Sequence, residues 1–354
     1  MLSRSPAGLP EGGYDLQGVV DRRFPFGSTR GRWPIVVDNR PPELSLATVP
    51  GPSRLDRPLV LSGSLEPGAR LDLDDPSATP ASVDVDPTGT FSVTFRGAPT
   101  APVRLIATDE AGNVRTVKVP IPIVYPTSTR AVHVTASGWA DDRVRLSVLQ
   151  LVEAGLIDAV QLDLKDETGV VAYDSQVPLA RLTGAVRPKY DLAATVAELE
   201  GRGARVIGRI VAFRDPLLAE WAWDNGNQGW VLQDRKGEML SSSAGYTNYA
   251  EQAVRDYNIA LAREAATLGV HDILWDHIRR PEGDPATMVV PGMTGTTRTT
   301  ADNIVGFLGR SRDELRPLGA YVGATVLGMA ARRPENIGQP VDRIAGAEIG
   351  RAHV

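Results

Sequence analysis

Three short segments carry charge where charge is costly. Gln161-Leu162-Asp163-Leu164-Lys165-Asp166, Gly208-Arg209-Ile210-Val211 and Trp275-Asp276-His277-Ile278-Arg279-Arg280-Pro281 each set carboxylates or guanidinium groups within or just after an apolar run. Ionised groups in such surroundings must be paired or hydrogen-bonded, and their clustering at strand ends is a frequent mark of binding or catalysis. Period-2 alternation predicts Gln161, Asp163 and Lys165 on one side of a strand and Leu162 with Leu164 on the other. Asp276 shares a face with Leu274 and suits a nucleophile or general base, with Arg279 placed to pair with it or hold a polar substrate. Arg209 lies mid-strand and needs a buried carboxylate partner, for which Asp163 and Asp276 are the candidates; a structural role fits it best. Asp163 and Lys165 suit an ion-pair network as well as a site, and Asp215-Pro216 reads as the start of a loop.

Other chemistries lack their residues. The chain has no cysteine, which removes disulfides, thiolate metal sites and cysteine nucleophiles. His133, His271, His277 and His353 show no metal-ligand spacing, so no metal is expected. No Gly-x-Ser-x-Gly elbow, Gly-x-Gly-x-x-Gly turn or P-loop follows a predicted strand, and no cofactor is expected. Asp84, Asp86 and Gly89 read as a polar hairpin, since the downstream glutamate of a calcium loop is missing. Trp139, Trp221, Trp223, Trp230 and Trp275 all fall in the second half, several in a long loop with Asn225, Asn227, Gln228 and Asp234. Aromatic faces with amide and carboxylate edges suit a sugar ring.

The elements that must position these groups are β–α units. Strands are predicted at 132–136, 160–164, 206–213, 273–278 and 321–327. Helices are predicted from Asp141-Asp142, with Val144, Leu146, Leu149 and Val152 near one face, and at 192–199, 251–268 and 302–315. Short turns at Gly155, Gly203, Gly269 and Gly319 favour a (β/α) barrel over a doubly wound sheet. Before Tyr125-Pro126-Thr127-Ser128-Thr129 the pattern differs: alternating runs at 59–61, 70–73, 82–85, 90–95, 103–107 and 114–119, separated by turn residues, predict an all-β sandwich. The run from Tyr14 to Asn39 echoes the one from Val103 to Val119, as if the last strands of an earlier copy preceded the sandwich. With 354 residues, two domains are expected. The net charge of -5, without a Lys/Arg block, argues against a nucleic-acid partner, and no apolar run is long enough to span a bilayer.

Two resemblances follow. Ala107-Thr108-Asp109-Glu110-Ala111-Gly112-Asn113 and Val37-Asp38-Asn39-Arg40-Pro41-Pro42 resemble bacterial Ig-like modules strung along extracellular proteins, over the first third of the chain. This implies the end of a preceding module at 1–42 and a β-sandwich at 43–125, ahead of the barrel expected at 126–354. It also implies an extracellular or cell-surface setting, with a signal peptide expected upstream. From Arg130 onward, Val160-Gln161-Leu162-Asp163-Leu164-Lys165-Asp166-Glu167-Thr168-Gly169, Gly208-Arg209-Ile210-Val211-Ala212-Phe213-Arg214-Asp215-Pro216 and Ile273-Leu274-Trp275-Asp276-His277-Ile278-Arg279-Arg280-Pro281 resemble DUF4015, a glycoside hydrolase-like family related to α-amylase-type barrels. That resemblance implies a TIM-type barrel hydrolysing a polysaccharide or oligosaccharide. Asp276, at the end of the fourth strand, resembles the nucleophile, with Asp163 as stabiliser or acid. Arg279, Arg209, Lys165, Asp166, Trp139, Trp275 and His277 are the candidate substrate contacts.

The chain departs from the family at His277 and Arg280, where an aromatic pair is usual, and at Thr325, where the fifth strand often carries Asp. Hydrolysis needs two carboxylates, and the second stays open. A non-catalytic carbohydrate-binding or adhesion protein with a degenerate barrel is the alternative. Five predicted strands against the eight of a closed barrel, and a segment 348–354 that reads like a translated adapter, suggest a gene fragment ending near Ala347. Limited proteolysis is expected to cut between Thr127 and Arg130 and leave a stable β fragment; early cleavage between Asp84 and Thr90 would sink the two-domain reading.

Overall fold

A computed structural model of the chain describes residues 9–21, 28–55, 57–74, 80–125, 129–240, 245–293, 299–347 and 351–353. Most of the Tyr125–Thr129 linker and of the 348–354 segment lies outside them. Two compact units result, Met1–Val124 and Tyr125–Val354, each with its own apolar core.

In the first unit β1 (Gly12–Asp21) and β2 (Ser28–Val37) form an antiparallel pair, as do their echoes in the sandwich, β8 and β9. The sandwich is built from β3 (Leu44–Leu46), β4 (Leu59–Leu65), β5 (Arg70–Leu73), β6 (Ser82–Val85), β7 (Thr90–Phe95), β8 (Val103–Thr108) and β9 (Val114–Val119). Its sheets run β3-β4-β7-β6 and β5-β8-β9, the strand order of a seven-stranded immunoglobulin constant-type domain. Alternation does the packing: Phe91, Val93 and Phe95 of one sheet share a core with Val103, Leu105 and Ala107 of the other. Asp86 is spent on its hairpin, accepting from the Thr88 and Thr90 amides at 2.8 and 2.9 Å. Strand β3, three residues long, is too short to show a period in the sequence.

In the second unit β10 (Ala131–Val134), β11 (Ala159–Lys165), β12 (Arg205–Val211), β13 (Asp272–Asp276), β14 (Tyr321–Thr325) and β15 (Arg351–His353) lie side by side in chain order, every neighbouring pair parallel. A doubly wound sheet would reverse its order at a switch point; unbroken order is the winding of a (β/α) barrel. The three-residue β15 is an addition to the five predicted strands. Between them come α1 (Ala136–Ala140), α2 (Asp142–Glu153), α3 (Pro178–Leu182), α4 (Leu192–Gly201), α5 (Pro216–Asp224), α6 (Gln252–Thr267) and α7 (Thr300–Leu315).

Three local expectations are corrected. Helix α2 buries Val148, Leu149 and Val152, whereas Val144 and Leu146 are exposed; two residues apart, they stand about 160° from each other around the axis and only flank the buried arc. Asp215-Pro216 opens helix α5, with Asp215 Oδ1 accepting from the Leu218 amide at 3.0 Å and Pro216 in the first turn, so Trp221 and Trp223 are helical. Finally, Asp163 and Lys165 do not share a face. Asp163 pairs with Arg209 but Lys165 pairs with Ile210, a bulge that leaves Leu164 as the extra residue. The bulge fits because residue 208 is glycine, where a Cβ would collide with the Leu164 side chain.

The bulge turns Lys165 outward, beneath the helices. Its Nζ donates to Asp215 Oδ2 at 2.7 Å and Asn258 Oδ1 at 2.8 Å and stands 4.9 Å over the Tyr257 ring, with both charged side chains at most 1% exposed. Gly169 closes this node: its φ of +85° suits glycine, and a Cβ there would overlap the Asp215 carboxylate. Lys165→Met would strand the Asp215 charge and is expected to cost the barrel unit about 3–5 kcal/mol in urea unfolding. Lys165→Met with Asp215→Asn, which keeps the cap acceptor, should cost less; an equal or larger loss in the double variant would rule out the stranded charge as the cause.

Candidate active site

On the inner face of the sheet the polar groups converge on one guanidinium. Arg209, in the middle of β12 and 9% exposed, donates through Nε to Asp276 Oδ2 at 2.9 Å and through Nη1 to Asp163 Oδ1 at 2.9 Å, and its Nη2 is ion-paired with Asp276 Oδ2 at 2.7 Å. Nη1 and Nη2 also reach Glu167 Oε2 at 3.2 and 3.3 Å. Asp163 Oδ1 is further paired with His133 Nε2 at 2.9 Å, and the Tyr190 hydroxyl donates to the Asp163 carbonyl at 2.9 Å. Four consecutive strands, β10 to β13, thus each contribute one side chain to a single network: Asp163 is in register with Arg209, while His133 and Asp276 pair with Gln161 and Val211, each two residues away and on the same face by alternation.

Burial pushes the Asp163 carboxyl up, but the hydrogen bonds and charges of His133 and Arg209 outweigh it and hold Asp163 below its ordinary value. Arg209 is likewise raised against the opposing effect of burial, chiefly by the Asp276 and Asp163 carboxylates, and remains a cation. Beside it, His277 has a left-handed backbone, φ +49°, which turns its N–H back onto Asp276 Oδ1 at 2.7 Å. Its Nδ1 shares a hydrogen bond of 3.0 Å with the Tyr246 hydroxyl. Burial lowers His277, and the Arg279, Arg214 and Arg209 charges add to this against Asp276. Burial carries the Tyr246 hydroxyl up to about 12.

Of the sequence candidates, Asp163, Arg209 and Asp276 meet in this network, with His277 attached through its backbone and Arg279 half-buried beyond β13. Four others are elsewhere. Lys165 faces the helical layer because of the bulge. Trp275 alternates with Leu274 and Asp276, so it too points outward, its indole N–H donating to Ser311 on α7 at 2.7 Å. Trp139 is buried with its N–H on Thr195 of α4 at 3.1 Å, and Asp166 is spent on its own turn, accepting from the Thr168 amide at 2.9 Å and the Val170 amide at 3.2 Å. Sequence reasoning passed over His133, although Val132-His133-Val134 alternates and so marks it as inward. It also passed over Glu167, Tyr190 and Tyr246, whose loops bear no such signal. Among the described residues no group of three or more His, Asp or Glu is placed to hold a metal ion, and no helix is long and apolar enough to cross a membrane.

The two outer carboxylates are close. Asp276 Oδ2 and Glu167 Oε2 both bind Arg209 Nη2, at 2.7 and 3.3 Å, which puts these oxygens at most about 6 Å apart. A carboxylate pair at that spacing beside a fixed cation is equipped for acid–base or nucleophilic work on a polar bond.

A family model described as "Putative glycosyl hydrolase domain", DUF4015, matches residues 131–348, the whole stretch that builds this network. The chain belongs to the DUF4015 family. Among solved structures, a hypothetical protein from Ruminiclostridium thermocellum is 24% identical with a TM-score of 0.48, the match covering 55% of this chain and 96% of that one. An exo-β-N-acetylglucosaminidase from Vibrio harveyi is 13% identical with a TM-score of 0.41, over 69% of this chain and 39% of that one. An α-galactosidase from Thermus thermophilus is 16% identical with a TM-score of 0.38, over 86% and 60%. This DUF4015 chain therefore spans about two fifths and three fifths of those two enzymes. No protein of curated function matches it.

Because Asp163 is depressed in the folded chain, its contribution to stability is complete above its unfolded value near 3.8 and is lost as pH falls through the lower, folded value. The barrel unit should therefore lose stability as pH drops below about 4, and Asp163→Asn should be less stable at pH 7 with a flatter acid limb. Urea midpoints taken from pH 2 to pH 7 check this; parallel acid limbs in the two proteins would remove Asp163 from the account.

Proposed function

We propose that this chain hydrolyses glycosidic bonds of a polysaccharide with retention of configuration, outside the cell. Asp276 is the nucleophile and Glu167 the acid/base. The reading is carried by the single Arg209 nitrogen that holds both carboxylates, at 2.7 and 3.3 Å. Nearest oxygens at most about 6 Å apart suit the ~5–5.5 Å of retaining pairs better than the ~6.5–9.5 Å of inverting ones. Asp276, fixed by Arg209 and the His277 amide, attacks the anomeric carbon while Glu167 gives its proton to the departing oxygen. Glu167 then takes a proton from the water that cleaves the glycosyl ester. Glu167 suits this exchange: its side chain is 46% exposed, against 6% for Asp163. Asp163, buried between His133 and Arg209, is a positioning residue. The Ig-like sandwich supports a surface or cell-wall setting in which a β module presents the barrel to a polymer.

The alternative of glycan binding without turnover is favoured by Thr325, at the end of β14 where the family often carries Asp. Turnover separates the two. Asp276→Asn is expected to lose roughly a thousandfold or more in rate while retaining glycan binding. Glu167→Gln should lose most with poor leaving groups and little with activated aryl glycosides. A 2-fluoro glycoside should label Asp276, read by peptide mass spectrometry. Full activity in Asp276→Asn, or a label on another residue, would reject the assignment, and wild-type binding without turnover on every glycan tried would favour the second reading.

A further inference from the structure

Arg209 lies within β12, Arg214 and Arg279 lie just past the ends of β12 and β13, and of the three only Arg209 is ion-paired among the described residues. Arg209 is surrounded by Asp163, Glu167 and Asp276. Arg214 follows the end of β12 by three residues and Arg279 follows the end of β13 by three. The Arg214 backbone pairs with Tyr246, whose hydroxyl bonds to His277, and His277 lies between Asp276 and Arg279 in the chain. Both side chains are half-buried. Among the described residues neither has a carboxylate partner, and Arg279 Nη1 reaches only the Arg280 carbonyl, at 3.3 Å.

The charges act on what lies between them. Apart from burial, Arg279 and then Arg214 act most strongly on Tyr246, ahead of Asp276 and Glu282, and both also act on His277. Glu282 is exposed and contributes least of these groups at Tyr246. Asp163, Glu167 and Asp276 are hydrogen-bonded to Arg209, and Arg214 with Arg279 balances the charge that one guanidinium leaves over. A partly desolvated guanidinium favours an anionic partner, and its planar fork matches a carboxylate or sulfate in bidentate fashion.

We propose that Arg214 and Arg279 form an anion subsite beside Asp276, selecting a sugar that bears a carboxylate or a sulfate ester. The subsite deepens the glycoside hydrolase reading by naming its substrate class: an acidic glycan whose charged residue sits next to the bond to be cleaved. Tyr246 and His277, hydrogen-bonded to each other, are the groups on which both cations act.

The test uses the 354-residue chain with glucuronate, galacturonate and galactose 6-sulfate, against neutral glucose and galactose. Calorimetry gives Kd, and the ring signals of the four histidines give a local readout by NMR. At least one acidic sugar should bind tenfold or more tighter than its neutral counterpart, more weakly in high salt, and should raise the midpoint of His277 titration by removing cationic repulsion. Uronate or sulfate preference identifies the source of the charge. Arg214→Gln and Arg279→Gln should each remove most of the preference, with Arg→Lys at either site retaining part of it; unchanged His133 signals show that the variants are folded. Equal binding of acidic and neutral sugars, no acidic sugar bound by the wild type, or a preference that survives Arg214→Gln with Arg279→Gln overturns the subsite. Acid preference without hydrolysis would leave the subsite standing and remove the hydrolase reading, whereas hydrolysis of neutral glycans with no acid preference would do the reverse.

Discussion

A guanidinium in the middle of a parallel sheet has to be surrounded before the sheet can close over it, and Arg209 imposes that condition on everything nearby. Leaving a buried charge unpaired costs several kcal/mol, a large share of the ~5–15 kcal/mol that holds a domain together. The strands on either side of β12 therefore place Asp163 in register with it and Asp276 two residues further along the same face, and the loop after β11 brings Glu167 over the top. The glycine just before Arg209 belongs to the same constraint. It leaves room for the bulged Leu164, and the bulge lets one strand serve both of its faces.

Strand β11 consequently sits between two polar nodes of opposite character. Inside, Asp163 joins a network that opens to solvent through Glu167 and His133, whose side chains are 46% and 42% exposed. Outside, Lys165, Asp215 and Asn258 are sealed between strand and helices. A sealed ion pair adds little net stability compared with apolar packing, but it tolerates only one arrangement of its elements. Here it ties β11 to the cap of α5 and to the middle of α6, and so sets the loop from which Glu167 reaches Arg209. The outer node is scaffold for the inner one.

Strain and charge are concentrated at the end of β13. His277 takes a left-handed backbone that most residues avoid, and in return its amide fixes the Asp276 carboxylate. The same turn carries the chain on to Arg279, so the fixed carboxylate and an uncommitted cation come from one short segment. In the sandwich unit the carboxylates of Asp86 and Asp109 are used in their own hairpins.

Local periodicity was enough to read much of this from the sequence. Most strands of both units, the singly wound order, the shared face of Leu274 and Asp276 and the need of Arg209 for Asp163 or Asp276 all follow from residues counted along one element or from the cost of burying one charge. Residues whose positions depend on distant partners were not legible. Lys165 meets Asp215 and Asn258 across 50 and 93 residues, and Glu167 meets Arg209 across 42. A one-residue bulge, invisible to a period-2 count because it arises from packing against Gly208, reverses the side on which Lys165 lies. Which residues must be paired is written in the chain; their partners come from the folded sheet, because pairing of buried charges is settled by which strands become neighbours and by where their register slips.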